Sequence, residues 1–449
     1  MATIDILNQI KAGSNIENKL SEKFGLNLNP FPKSGIANIS DPDQVLENFG
    51  PVNKNVRDYV VNYMKDALSN SGVGKRDKYV SLVIRGEYGS GKTQLLMYMR
   101  YVFSQLDTEG FHPYVIYIDN PGLSISELIG NVVSQIGVEN FRRYLWDTYL
   151  SYLDGKRNDS YSTRKQILLS NIQDKLSDGR GTLFPELTEI NWEESILSYK
   201  MLMDKVIHNT TKTQQKEISE IIRTSMSECF LEIFKHSTVA DYFYNIVVEN
   251  ISMLKSWDAI VGGSIKNMDK NVVYILNAIV NIIKNYLHRT DFIILVDEFE
   301  EIATGRLKEA DLDNYLRNLR ALIDKERQWC SVFAMTGQAF KKIQQVSPPL
   351  ASRIGDRCVD LKPFNFEEFK KVVANYLNLA REKRLDSIFP FTEGALKSML
   401  ETKNTLLEGS PRYLLKNCYL LLQRAAEDLA KGQSIDATFV KKYMSDSLK

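Results

Sequence analysis

Histidine and cysteine are scarce in this chain. Four histidines, His112, His208, His236 and His288, are spread over 449 residues with no pair at metal-ligand spacing, which argues against a zinc site. The four cysteines, Cys229, Cys330, Cys358 and Cys418, contain no C-x-x-C and read as buried, reduced thiols of a cytoplasmic protein. Charge of one sign is also lacking. With 57 Lys and Arg against 56 Asp and Glu, the formal net charge is +1, so no global basic field advertises nucleic acid. Long apolar runs are missing as well. The longest, Val272 to Leu287, carries Asn277, Asn281, Lys284 and Asn285, and is expected to be an amphipathic helix, not a membrane span. Met1 to Lys11 has no charged segment leading into an apolar core, so no secretory signal is expected. No internal repeat is visible. What remains, 43% hydrophobic and 25% charged residues, is the composition of a globular protein with a sizeable core.

The most informative stretch is Gly86-Glu87-Tyr88-Gly89-Ser90-Gly91-Lys92-Thr93. It follows the apolar run Val80 to Ile84 and precedes a helix-like run, Gln94 to Met99. Strand, glycine-rich loop and helix form the context of a phosphate-binding loop. The glycines let the backbone curl so that successive N–H groups converge on phosphates, and the helix start adds its positive end. Lys92 is positioned for the β- and γ-phosphates of ATP, and the Thr93 hydroxyl for magnesium. A second strand, Asp291 to Val296, ends in Asp297-Glu298. Asp297 suits a magnesium ion, directly or through water, and Glu298 suits the polarisation of an attacking water. Glu300 and Glu301 follow and read as surface charges.

Between these two motifs the pattern changes. Tyr114 to Asp119 is a strand, and Ser124 to Glu127 starts a helix toward Ile136, which implies a parallel sheet with crossover helices. From about 137 to 269 only helix-period stretches occur: 141–153, 164–176, 193–208, 214–235 and 239–254. Lys92 and Asp297 are 205 residues apart, whereas two βα units need only about 60 residues, so a helical insertion is expected. Its aromatics Tyr144, Trp146, Tyr149 and Tyr152 read as core packing, with a partner-binding face as the alternative. A helix is expected from Asn53 to Leu68. The segment Phe49 to Arg57 is either a base pocket or a packing segment without ligand contact. Residues 312–323 have helical periodicity, Ser331 to Gln338 reads as a strand, and Cys358 to Leu361 as a short one. Beyond Asn365 helices start at Asn365, Thr392, Ser410-Pro411 and Asp436. The basic clusters Arg381 to Arg384 and Lys441-Lys442 read as solvated charge.

In this order of parts the chain resembles an AAA+ ATPase of the initiator clade, the group related to origin-recognition and replication-loading proteins, with bacterial stand-alone members. Leu350-Ala351-Ser352-Arg353-Ile354-Gly355 resembles that clade's Ser-Arg element, and Gly409-Ser410-Pro411-Arg412 its lid-helix arginine. The resemblance implies that Arg353 reaches a neighbouring subunit's γ-phosphate, that Arg412 contacts phosphates of its own subunit, and that Thr336 or Gln338 is the polar sensor. It implies an α/β P-loop NTPase fold with a parallel sheet and flanking helices, a large all-helical insertion and a C-terminal helical lid. The expected division is a lead-in over 1–50, core over 51–137 and 270–362, insertion over 138–269 and lid over 363–449. Expected ligands are ATP and Mg²⁺. Expected partners are further copies of the chain and a protein docking on the insertion; DNA is left open and no membrane is expected. Only 37 residues follow Arg412, too few for lid completion plus a winged-helix domain, so replication initiation is not carried over. The expected function is MgATP hydrolysis by an oligomer that drives or gates an assembly. The alternative is a nucleotide-gated interaction module with little turnover.

Overall fold

The computed structural model describes residues 16–35, 50–68, 79–106, 111–154, 162–176, 199–200, 203, 210–248, 274–325, 329–401 and 409–446. Five strands form the centre: β1 (Val80–Gly86), β2 (Pro113–Ile118), β3 (Asp291–Val296), β4 (Trp329–Met335) and β5 (Cys358–Leu361). All pairings are parallel and the order is β2-β3-β4-β1-β5. Strands covered on both faces need no polar alternation, and β3 and β4 are buried along their whole length.

Helices supply both covers. In chain order, α1 (Lys54–Leu68) precedes β1, α2 (Lys92–Gln105) links β1 to β2, and α3 (Ile125–Ile136) follows β2. Then come α4 (Val138–Asp154), α5 (Ser162–Leu176), α6 (Lys212–Phe234) and α7 (Ser237–Val248). Between β3 and β4 lies α8 (Glu309–Lys325), and α9 (Gly337–Val346) and α10 (Pro348–Ile354) precede β5. The chain continues through α11 (Phe366–Leu379), α12 (Glu393–Glu401), α13 (Pro411–Asp428) and α14 (Ala437–Asp446). Local chemistry sets several starts. Ser124, Thr392 and Ser410 each accept a backbone N–H three residues on, and Asn365 with Glu368 forms a complete capping box.

Strand alternation sorts the core into two faces. Tyr117, Ile293 and Leu295 pack with Leu95, Leu96 and Met99 under α1 and α2. Ile116, Ile118, Ile294 and Val296 face the other way, into a cluster that runs on through Ile129 and Val133 to Trp146, Phe230 and Phe243. The helices α4 to α7 thus share one core with the sheet. Trp146 and Tyr149 are fully buried, and Tyr144 and Tyr152 are partly buried against the same cluster, so these aromatics pack inward. The stretches 193–198 and 249–254 lie outside the described residues, as do 201–202 and 204–208.

The C-terminal helices have a separate core, and the N-terminal segment belongs to it. Leu20, Phe24, Leu26 and Phe31 are buried among Phe369, Tyr376, Leu414 and Leu422. Backbone carbonyls of the bundle accept from this segment: Ala380 from Asn27 N at 2.8 Å, Tyr419 from Asn29 Nδ2 at 3.0 Å and Ala426 from Lys23 Nζ at 2.7 Å. The sequence pattern showed only a helix and a loop here, because what these side chains cover lies some 350 residues away along the chain, as in the Phe31–Tyr376 stack.

Two expectations need correction. The strand expected through Gln338 stops at Met335: the Thr336 hydroxyl accepts from Ala339 N, and Gly337 and Gln338 form the first turn of α9. Arg381, expected to be solvated, is half-buried and donates to the carbonyls of Ser387 and Phe389, so it ties a loop together. The run ending at Leu287 is helical from 274 to 286, and no helix among the described residues is long and apolar enough to cross a membrane.

Candidate nucleotide-binding site

A cavity of about 340 Å³ lies where the C-terminal ends of β1 and β3 meet the C-terminal bundle. One end is apolar, walled by Pro51, Val52, Val56, Val372, Tyr376 and Leu415. The other end holds Tyr88 to Leu95 with Asp297, Glu298, Glu300 and Arg412. Of the segment Phe49 to Arg57, residues 50–53 and 56 line the cavity, while Phe49 lies outside the described residues. Pro32 and Gly35 of the N-terminal segment also line it.

The loop is tight because glycine lets it be. Gly89 has φ +76°, and a Cβ there would stand 2.9 Å from Arg412 Cβ. This closeness lets Arg412 N donate to Gly89 O at 3.2 Å, which docks the first turn of α13 on the loop. Gly35 approaches the same residue, where a Cβ would stand 2.3 Å from Arg412 O. The exposed Arg412 guanidinium makes no ion pair among the described residues and lines the cavity. Lys92 and Thr93 open α2. Ser90 Oγ and Gln94 Nε2 are buried beside them without a hydrogen-bond partner.

Lys92 is already paired. Its Nζ lies 3.2 Å from Glu300 Oε1 and donates to Gly86 O at 3.0 Å; the two side chains are 8% and 3% exposed. Glu300 is therefore a buried counter-ion of the loop lysine, not a surface charge. A short helical turn over Phe299–Ile302 swings it back under the loop. Burial pushes its carboxyl up from the ordinary range, against the downward pull of Lys92. A phosphate that takes Lys92 competes for the ammonium with this carboxylate. Replacing it by an amide also leaves the lysine less well satisfied in the empty site. Glu300→Gln is accordingly expected to tighten nucleotide binding by about tenfold, or ~1.4 kcal/mol. Titration of a fluorescent ADP checks this, and weaker binding would mean that Glu300 positions Lys92 instead of competing for it.

Asp297 is buried at the tip of β3. Its backbone N–H donates to Ile118 O at 2.8 Å, extending the β2–β3 ladder by one step. Asp297 Oδ1 accepts from Glu298 N at 2.9 Å, and Oδ2 from the Tyr117 hydroxyl at 3.0 Å. Burial, then the Asp297 carboxylate, push the Tyr117 phenol well above its usual range, so it stays a donor. Glu298 is exposed, with a left-handed backbone at φ +47°, a strained conformation of the kind that gathers at functional sites. Burial, then Asp297 and Glu301, raise its carboxyl, while Lys92 acts the other way.

The loop residues Tyr88 to Thr93, Asp297, Glu298 and Arg412 thus share one cavity. Five of the expected residues do not: Gly86 and Glu87 at the start of the loop, although Gly86 O accepts from Lys92 Nζ, and three from elsewhere in the chain. Thr336 is buried with its hydroxyl engaged as a helix cap, Gln338 is exposed on the first turn of α9, and neither lines the cavity. Arg353, on α10, donates from Nε to Asp324 and from Nη1 to Pro349 O at 3.0 Å, away from its own chain's cavity. Glu300 and Tyr117 were missed. Glu300's signal was its spacing three residues past Asp297, which a helical turn can fold back. Tyr117's was its place one residue before the end of a strand beside β3.

For a divalent cation, the donors at hand are hard oxygens, the Thr93 hydroxyl and Asp297 carboxylate, which with phosphate oxygens suit magnesium. The unpartnered Ser90 Oγ and Gln94 Nε2 beside the loop fit a polar ligand.

The fold and loop define a P-loop α/β protein. No family model and no curated protein matches the chain. Among solved structures it is similar to the Aeropyrum pernix ORC2 protein in its ADP form, with 14% identity, 90% of this chain and 73% of that chain covered, and a TM-score of 0.44. It is similar to the ADPNP–ADP complexes of the same protein, at 15% identity over 91% and 72% of the two chains with a TM-score of 0.45. It is also similar to CDC6P from Pyrobaculum aerophilum, at 9% identity over 87% and 67% with a TM-score of 0.39.

Proposed function

We propose that this chain binds MgATP in the cleft between the sheet and the C-terminal bundle and hydrolyses it as an oligomer of the AAA+ kind. The supporting observation is the convergence of Lys92, Thr93, Asp297, Glu298 and Arg412, from widely separated segments, on one cavity with an apolar end. That end suits a purine base. The loop N–H groups, Lys92 and Arg412 suit the phosphates, the lysine as a point charge and the arginine as a fork. Thr93 and Asp297 would hold magnesium, which would supply charge neutralisation toward the phosphates. Glu298 takes up the role of base, polarising a water for attack on the γ-phosphate, and its raised carboxyl makes it a better proton acceptor. Arg353, held by Asp324 outside its own cavity, completes the site of a neighbouring copy. In this reading the core is 51–137 with 270–362, the insertion 138–269 and the lid 363–449, with the N-terminal segment strapped to the lid.

The test is phosphate release from MgATP by the purified chain at rising protein concentration. Specific activity that climbs with concentration is expected; a flat profile contradicts the shared site. A second reading is a nucleotide-gated docking module. It is favoured by a cleft of about 600 Å³ between α5 and α6, edged by Arg164, Lys175, Glu217 and Glu220 over Ile167 and Leu168. Tight nucleotide binding with no turnover at any concentration would favour it.

A further inference from the structure

We propose that Tyr117 is a positioning residue for Asp297, fixing the carboxylate in one orientation for a divalent cation at the phosphate site. This rests on the nucleotide reading above.

Register places it there. Tyr117 of β2 lies beside Leu295 of β3, on the face covered by α2. Asp297 is two residues beyond Leu295, and side chains two apart along a strand share a face. Tyr117 and Asp297 therefore stand on the side from which α2 begins, with Thr93 in its first turn. The phenol spans the gap and donates to Asp297 Oδ2 at 3.0 Å in a buried setting. Asp297 Oδ1 is already held by Glu298 N at 2.9 Å. With a donor on each oxygen the carboxylate cannot rotate, while an ionised carboxylate keeps lone pairs to spare. Two other buried tyrosines hydrogen-bond neutral groups, Tyr315 the Pro121 carbonyl and Tyr149 the Ser225 hydroxyl. Tyr117 ends on a carboxylate in the cavity wall. Outer partners of metal ligands are worth roughly 10–100-fold in metal affinity.

The test compares wild type and Tyr117→Phe, which keeps the ring and removes the donor. Binding of N-methylanthraniloyl-ADP is titrated in EDTA and at graded Mg²⁺. Affinity in EDTA is expected to stay within about twofold. The Mg²⁺ concentration giving half-maximal tightening is expected to rise about 10–100-fold. That change is expected to vanish in an Asp297→Asn background. An unchanged Mg²⁺ midpoint, or an equal loss of affinity with and without Mg²⁺, overturns the proposal. Should the Phe variant fail to fold, 3-fluorotyrosine placed at position 117 of the otherwise unaltered chain reports instead. Its ¹⁹F resonance is expected to move when Mg²⁺ joins the ADP complex, and a resonance that stays put overturns the assignment. Failure of wild type to bind the probe sinks the nucleotide reading itself. Binding that ignores Mg²⁺ leaves the nucleotide part of that reading standing and removes the role of Tyr117.

Discussion

Glu298→Gln is expected to keep nucleotide and lose turnover, with kcat falling about 10²–10⁴-fold. The amide keeps the size and the exposed position of the side chain but cannot accept a proton from water. Affinity should change little. Glu298 makes no ion pair among the described residues, and the strained backbone at φ +47° is secured by the Asp297 carboxylate, which the substitution leaves in place. Single-turnover phosphate release, run beside equilibrium binding, separates the two effects. A variant that still hydrolyses at the wild-type rate would move the base elsewhere, with Glu300 another carboxylate lining the same cavity.

Arg353→Ala is expected to cost as much or more, because arginines that reach a transferring phosphoryl group are worth about 10³–10⁵ in kcat. Its own chain gives it no phosphate to touch: it is held by Asp324 and the Pro349 carbonyl outside the cavity. Nucleotide binding by isolated copies should therefore be unaffected. The sharper form of the experiment mixes Arg353→Ala with Glu298→Gln, each nearly inactive alone. A site that takes Glu298 from the first variant and Arg353 from the second is whole, so mixing should restore part of the activity. No recovery, or full activity of Arg353→Ala alone, would make the site self-contained and reduce the Asp324 pair to an ordinary surface bridge, worth under about 1 kcal/mol.

The two motif strands and the loop were legible because their chemistry is local: an apolar run followed by glycines and Lys-Thr, and an apolar run followed by two acids, need no partner to be recognised. Helix starts at Ser124, Asn365, Thr392 and Ser410 were legible for the same reason, since a cap is satisfied within four residues. Pairings across the chain were not. Glu300 looked like one of several acids in a row until the turn over Phe299–Ile302 put it against Lys92. Residues 16–31 looked like a lead-in until Leu20, Phe24 and Phe31 were seen filling the C-terminal bundle. Thr336 looked like part of the strand because an apolar run, Val332 to Met335, leads into it; its hydroxyl caps the start of α9.

The measurement that bears most directly on the central claim is equilibrium binding of fluorescent ADP with Mg²⁺ to wild type, Lys92→Ala and Lys92→Ala with Glu300→Gln. The double variant matters because Lys92→Ala alone leaves Glu300 buried without its cation, a destabilising change unrelated to nucleotide. If the loop cradles phosphates as described, wild type binds saturably. The double variant, folded as judged by thermal melting, then binds about a hundredfold more weakly, as expected for removal of one buried charge partner. Equal binding by wild type and the double variant, or none by wild type, would contradict the account.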